Sequence, residues 1–564
     1  MTKTIHNQMI QSEIVSYNNF ENKTIIGFYD YIDRDTKNSL IIIPPAFGET
    51  KRDSLKISYF LVKNGFNVLR YDTTCHAGES EGEIIDATFG RMKNDLISTL
   101  DFVEKKFNVD NIGVVSTSLA VRIAVKACSE DKRIKFLLGL VGIIDIRSTL
   151  KSIYYQDIIG EILEGNYQGE IIDDIMGFEV SIDFAISAIS EKYHDLESTK
   201  ADMKKINIPI TFIVAENDPW VNINDTKNAL DCCLNNNTEF IIIPNAMHQI
   251  NENPDAANLA LRKIVINCRK NLNVDNMGLE DVIEPTQEEL TYQWKIEEER
   301  LKNLLKKSLE TEKEFWGKYL SKFVLINKSK DYRSFLKQII DLLDIRQGEN
   351  ILDAGCGNGH FGAWLLESFI EKIYKEKIEF EKFSSINYFG IDFVEKSIKE
   401  GILKHFNMLR RIYKELYIRE KYKIISYKYI LVDLDYQLPL IDNCFDKICC
   451  NLVISYVKDA QFTVSELFRT LKPGGKILFS SLKPFVDLSQ IYRNFVVQTE
   501  NDEELEEARK LLSAAGKAKQ KESAGFYNFF SEKELEEFLR ITGAKNIRSL
   551  RTFSNQANIT IGEK

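Results

Sequence analysis

The stretch NIGVVSTSLAVRIAVKA, residues 111–127, decides how the chain is read. NIGVV is a short apolar run rich in β-branched residues, the mark of a buried strand. AVRIAVKA carries its apolar residues at helical spacing. Between them, Ser116-Thr117-Ser118-Leu119 leaves room for only a tight turn. A strand that turns sharply into a helix lifts the central side chain of the turn, here Ser118, above the C-terminal edge of a sheet. Backbones crowd at such a turn, so the residues two positions to either side must be small. Ser116 and Ala120 stand where glycines usually do.

Working outward, strand-like runs recur at residues 40–44 (LIIIP), 67–71 (NVLRY), 136–144 (FLLGLVGII), 210–214 (ITFIV) and 240–244 (FIIIP). Near-continuous apolar runs separated by helical patterns predict a mostly parallel sheet buried on both faces. The strand pattern pauses from about Ser148 to Lys205. This segment, with Ile158, Ile159, Leu163, Ile171, Ile172, Ile175 and Phe178, is expected to be a mainly helical lid. A second series starts at 350–356 (NILDAGC) and continues at 388–393, 429–433, 447–455 and 476–481. Residues 546–550 and 558–562 are expected to form a closing hairpin. The expected fold class is α/β, with two doubly wound domains. Residues 1–272 form the first, with its lid over about 148–205, and residues 331–564 form the second. Residues 273–330 are read as a charged linker and the helical lead-in of the second domain. There, Leu301, Leu304, Leu305 and Leu309 make an ordinary packing stripe.

The chain has 564 residues and a formal net charge of -10, which argues against a nucleic-acid partner. Its nine cysteines lack metal-ligand spacing, and no metal is expected. Reduced thiols, no leader-like N-terminus and no apolar run of membrane-spanning length give the expectation of a cytoplasmic protein without a membrane span.

Two residues later in the chain complete the chemistry that Ser118 suggests. Asp218 follows the run 210–214, and His248 follows the run 240–244. Each of the three is easily explained alone, as a helix cap, a turn cap and a loop histidine. In the order Ser, Asp, His, each at a strand's C-terminal end, they match a nucleophile, a carboxylate that orients the base, and the base itself. Backbone amides of Leu119 and Phe47 are the candidate donors for the oxyanion. Cys75 and His76, in the loop after Asp72, are read as supporting the site from behind.

RYDTTCHAGESEG (70–82), SLAVRIA (118–124), VGIIDIRSTL (141–150) and NDPWV (217–221) resemble the acyltransferase family of bacterial luminescence. Those are α/β-hydrolase-fold thioesterases that take myristoyl groups from acyl carrier protein. The resemblance implies Ser118, Asp218 and His248 as the triad, and an acyl carrier protein or acyl-CoA thioester as the donor.

In the second half, Asp353-Ala-Gly355-Cys-Gly357-Asn-Gly359 leaves a strand and enters a helix, a pattern that lets the backbone approach a ligand closely. DAGCGNG resembles motif I of class I methyltransferases, which have a Rossmann-like fold. The resemblance implies S-adenosylmethionine as cofactor, held by Asp353, Gly355, Gly357 and Gly359. It also implies Asp392 on the ribose, Asp433 near the adenine and a small-molecule methyl acceptor. The acceptor pocket is expected from the lead-in helices and residues 484–530, and no base is assigned. The expected function is thus bifunctional: a serine acyltransferase or thioesterase fused to a methyltransferase. The alternatives are a generic esterase fused to a methyltransferase and a non-catalytic carrier-docking scaffold.

Overall fold

The structure is a computed structural model. It describes residues 9–32, 39–154, 156–176, 178–274, 281–305, 316, 330–377, 383–415, 423–486, 521–522, 525–553 and 555–564. The chain divides into two compact units, Met1–Lys307 with Leu512–Ala524, and Ser308–Leu511 with Gly525–Lys564.

The first unit is built on strands β1 (Gln11–Asn18), β2 (Thr24–Tyr31), β3 (Leu40–Ile43), β4 (Asn67–Tyr71), β5 (Ile112–Thr117), β6 (Ile134–Leu140), β9 (Ile210–Ala215) and β10 (Thr238–Ile243). Among the described residues they form one eight-stranded sheet in the order β1-β2-β4-β3-β5-β6-β9-β10. From β4 onward every pairing is parallel. β1 and β2 form an antiparallel hairpin, and β2 lies antiparallel to β4.

Helices cover both faces, as a parallel sheet demands. Helix α1 (Leu55–Lys63) and helix α9 (Pro254–Leu272) pack one side, where Tyr59, Phe60, Leu261 and Ile264 meet Ile41, Val68 and Phe136. On the other side lie α2 (Phe89–Phe107), α3 (Ala120–Glu130) and α8 (Ile223–Leu230). There Leu96, Leu100, Val121 and Ala229 meet Leu69, Val114 and Phe212.

The insertion between β6 and β9 holds α4 (Ile146–Tyr154), α5 (Ile158–Leu163), α6 (Asp183–Ser190) and α7 (Leu196–Met203). It also holds an antiparallel hairpin, β7 (Ile171–Ile175) with β8 (Phe178–Ser181), within what the sequence leads one to expect as a mainly helical lid. Ile158, Ile159, Ile172, Ile175 and Phe178 are buried, whereas Leu163 and Ile171 are exposed.

Helix α10 (Gln287–Leu305) corrects the reading of 273–330 as the lead-in to the second domain. It packs on the first unit. Glu297 is 2% exposed and binds the fully buried Arg70 of β4, Oε1 to Nη2 at 2.7 Å, and Asp30 of β2 takes the other side of the same guanidinium at 2.6 Å. The Arg52 guanidinium lies over the Trp294 ring at 3.7 Å. A charged helix reads from sequence as a solvated one, but here part of its charge answers a buried arginine. Leu309 of the leucine stripe lies outside the described residues.

The second unit holds β11 (Asn350–Ala354), β12 (Ile386–Asp392), β13 (Ile425–Leu431), β14 (Phe445–Asn451), β15 (Leu471–Leu482), β16 (Lys545–Thr552) and β17 (Ala557–Glu563). Among the described residues their order is β13-β12-β11-β14-β15-β17-β16. β11 to β15 run parallel, and the closing hairpin is antiparallel. The sheet separates two apolar layers. One takes in helices Lys330–Leu343 and His360–Lys375, the other helices Ala460–Thr470 and Glu532–Ile541. Strand order reverses between β11 and β14, and a crevice at such a switch point is where open α/β sheets bind ligands.

Candidate active site

β5 ends at Thr117, and Ser118 takes φ +48°, a left-handed value that is strained for serine. Three backbone bonds hold it there: Ser118 N–H to Leu140 O at 3.0 Å, and Ile143 and Val121 N–H to Ser118 O at 3.1 Å each. Ser116 and Ala120 are both buried, so the small residues sit where the turn is crowded.

The structure brings Ser118, His248 and Asp218 together. Ser118 Oγ lies 3.0 Å from His248 Nε2, and His248 Nδ1 lies 2.8 Å from Asp218 Oδ2. Asp218 Oδ1 accepts the amides of Trp220 (2.9 Å) and Val221 (3.2 Å), which aims the other oxygen at the imidazole. The Trp220 ring lies 4.2 Å from the His248 ring. The loops after β9 and β10 are tied directly, Asn217 N–H to Ala246 O at 2.9 Å. Both side chains of the His–Asp pair are nearly buried, at 4% and 2% exposure, so solvent screens their attraction little. The tautomer that satisfies both bonds has its proton on Nδ1 and leaves Nε2 to accept from serine.

β3 and β5 are parallel neighbours, Ile42 opposite Val114, so the turn after β3 lies beside Ser118. Glu49 N–H donates to Ala46 O at 3.0 Å and closes a turn with Phe47 and Gly48 at its centre. Among the described residues neither the Phe47 nor the Leu119 amide has an acceptor. A Cβ on Gly48 would come within 2.5 Å of the Phe178 ring, so only glycine lets the lid hairpin rest on this turn. Phe47 itself touches Phe178 (5.9 Å) and Phe184 of α6 (5.1 Å).

In the second unit the glycine loop follows β11, with Gly355, Gly357 and Gly359 all at positive φ. A Cβ on Gly355 would meet Val453 at 2.5 Å, just beyond β14. The Gly357 amide donates to Asp392 Oδ2 (2.9 Å), and the Val394 amide donates to Oδ1 (2.8 Å). Burial pushes the Asp392 carboxyl up against those two amides. Asp433 lies two residues past β13 and accepts the Asp435 amide at 3.0 Å. Asp353 sits below the loop, 2% exposed, its carboxyl taken by the Tyr388 hydroxyl (2.6 Å) and the Cys449 thiol (3.6 Å). Burial pushes Asp353 up to about 7. Its carboxyl therefore braces the loop from within rather than opening toward the crevice. His405 props the loop from the helix Glu395–Glu415, its Nε2 2.7 Å from Gly359 O, and its Nδ1 is bonded to the Tyr429 hydroxyl. His360 opens the helix after the loop, beside Lys404 Nζ at 3.2 Å.

The close glycine backbone at the switch point, with Asp392 at the end of β12 and Asp433 two residues past β13, fits an adenosine ligand that carries positive charge. Among the described residues no group of three or more His, Cys, Asp or Glu is placed to hold a metal ion. No described helix is long and apolar enough to cross a membrane.

Comparison with known proteins matches residues 18–307 to the acyl transferase family model. The chain belongs to the acyl transferase family. Residues 345–543 match a methyltransferase domain, so this acyl transferase carries a methyltransferase domain in its C-terminal half. Similar relatives include the acyl transferase of Photobacterium phosphoreum, 27% identical over 279 residues, covering 48% of this chain and 87% of that one. The acyl transferase of Aliivibrio fischeri strain MJ11 is 29% identical over 282 residues, again 48% and 87%. Among solved structures, Est1E from Butyrivibrio proteoclasticus with bound ferulic acid overlays at a TM-score of 0.39 and 16% identity, covering 45% of this chain and 99% of that one.

Two features of the acyl transferase unit escape sequence reasoning. His76, read as mere support, accepts the Gly48 amide at the centre of the turn after β3. Its signal is its place in a loop with two positive-φ glycines, Gly78 and Gly82, directly after β4. The anchoring of α10 through Glu297 has no signal in the sequence, because Arg70 and Glu297 are 227 residues apart. In the methyltransferase domain, most of the expected acceptor segment 484–530 lies outside the described residues.

Proposed function

We propose that the first unit is a serine acyltransferase of acyl thioesters and that the second is an S-adenosylmethionine-dependent methyltransferase. The observation that carries the first reading is the continuous relay from Ser118 Oγ through His248 to Asp218. His248 Nε2 takes the serine proton as Oγ bonds to the thioester carbonyl carbon, and Asp218 stabilises the imidazolium. Charge that develops on the carbonyl oxygen meets the Phe47 and Leu119 amides, each such donor being worth about 3 kcal/mol of barrier. The C–S bond then breaks, the thiol leaves with the proton from His248, and the acyl group stays on Ser118. Water or another acceptor, deprotonated by His248, takes the acyl group off.

A fatty acyl donor would lie against the apolar side chains of the lid, where Leu150, Ile158, Ile172, Ile175 and Phe184 pack with Phe89 of α2. Phe184 also touches Phe47, so this apolar layer adjoins the turn beside the nucleophile. In the second unit the glycine loop, Asp392 and Asp433 would hold the cofactor. The cofactor supplies an electrophilic methyl group, and the protein's part is to align the acceptor and exclude water.

Intact-mass analysis after mixing with a series of acyl-carrier-protein and acyl-CoA thioesters tests the first reading. An acyl adduct is expected on the wild-type chain and none on Ser118→Ala. Undiminished labelling of that variant would remove Ser118 as nucleophile.

A further inference from the structure

His76 lies in the loop after β4, 5% exposed, and is not one of the three relay residues. Its Nε2 accepts the Gly48 amide at 3.1 Å, and its ring stands edge-on to Phe47 at 5.1 Å. These are the two central residues of the turn beside Ser118. We propose that His76 is a positioning residue for acyl transfer: by holding the Gly48 amide it fixes the turn so that the Phe47 N–H faces the reacting carbonyl oxygen. The inference rests on the assignment of Phe47 as an oxyanion donor.

The two loops are built as one piece. Asp72, just past β4, accepts the Lys51 amide at 2.7 Å through Oδ1 and the Glu79 amide at 2.7 Å through Oδ2. The Lys51 ammonium also reaches Asp72 and Glu79, and the Arg70 guanidinium donates to Lys51 O at 3.0 Å. The loop carrying His76 is thus clamped at its base to the end of the loop carrying Phe47. Behind His76, Cys75 takes φ +52° and donates its amide to Glu81 O at 2.9 Å, so the backbone that presents the imidazole is itself fixed.

The bond needs a neutral ring with a bare Nε2, because a protonated one would set N–H against N–H. Burial pushes His76 down to about 4, only partly offset by the Glu49 backbone, so the ring is neutral where enzymes of neutral pH work. Without this acceptor the Gly48 amide loses its partner, and the turn loses one of the contacts that set the Phe47 peptide. A misplacement of about 1 Å at a reacting group can cost roughly a hundredfold in rate.

The test uses the full-length chain with a long-chain acyl-CoA. Acylation rate, kcat, KM and thermal midpoint are measured for His76→Leu and His76→Gln. Leucine removes the acceptor, whereas the glutamine carboxamide oxygen can stand where Nε2 stood. His76→Leu is expected to lower acylation and kcat by about 10- to 100-fold, with KM changed less than about twofold. His76→Gln is expected to recover to within about threefold of wild type. Equal loss in both variants, an unchanged rate in His76→Leu, or a loss confined to KM would overturn the inference. Should His76→Leu fail to fold, His76→Asn, one methylene too short to reach Gly48, replaces it and must show the same gap from His76→Gln. Ser118→Ala run alongside separates the two levels. If Ser118→Ala acylates normally, the reading of the site itself fails. If it is silent while His76→Leu matches wild type, only the positioning role fails.

Discussion

Ser118 shows what a reactive side chain demands of its backbone. Its φ of +48° is one that serine holds only at a cost, and that cost places Oγ 3.0 Å from His248 Nε2. Ser118→Gly relieves the strain, so it is expected to raise stability by about 1 kcal/mol in calorimetry while abolishing the acyl adduct. Lower stability in this variant would mean that the turn is not strained. Asp353 makes a different prediction. Burial raises it to about 7, so between its ordinary value of 3.8 and that point the folded chain keeps a proton that the unfolded chain has released. Its contribution to stability is therefore full in acid and is lost as pH rises through that window. Asp353→Asn, which keeps an acceptor for Tyr388, should melt above wild type at pH 8, with the gap closing by pH 4. A gap that widens toward acid would contradict a neutral buried carboxyl. Ser118, Asp218 and His248 stood out in the sequence because each follows a strand-like run in a set order. The inward commitment of Asp353 was not, because Tyr388 and Cys449 meet it only across neighbouring strands.

Among the elements, the parallel strands were readable because most carry a near-continuous apolar run, as β3 and β9 do. The β1–β2 hairpin was not. β1 is an edge strand with a single buried side chain, Val15, so its sequence lacks the run that marks the others. Helix α10 was readable as a helix but not in its attachment, since a charged face gives no hint that Glu297 is 2% exposed. Removing one partner of a buried pair leaves the other charge stranded. Glu297→Ala is expected to cost the first unit about 3 kcal/mol, the low end for such losses because Asp30 still holds Arg70. Urea denaturation of the full chain measures it, and a loss below about 1 kcal/mol would make α10 a loosely held appendage.

For the whole molecule, two series of α/β strands predicted two sheets, and each unit carries its own apolar layers on both faces. The order of strands in each sheet was not legible, since it depends on pairings that no local pattern records. Each candidate site is assembled from strands of one sheet, so damage to one is expected to leave the other working. Gly355→Asp places a side chain against Val453 at a backbone angle of φ +75°, and should weaken adenosylmethionine binding at least tenfold in calorimetric titration. Acyl-adduct formation on Ser118 should be unchanged in the same variant. Retained cofactor affinity would dismiss the glycine loop as the cradle.

The seat of Phe178 on Gly48 has a consequence for which guests the molecule accepts. Were the donor a fatty acyl chain seated beneath the hairpin, it would press on the same ring that bears on the turn next to the nucleophile. Length discrimination would then register in how fast a bound guest reacts, and not only in how tightly it is gripped.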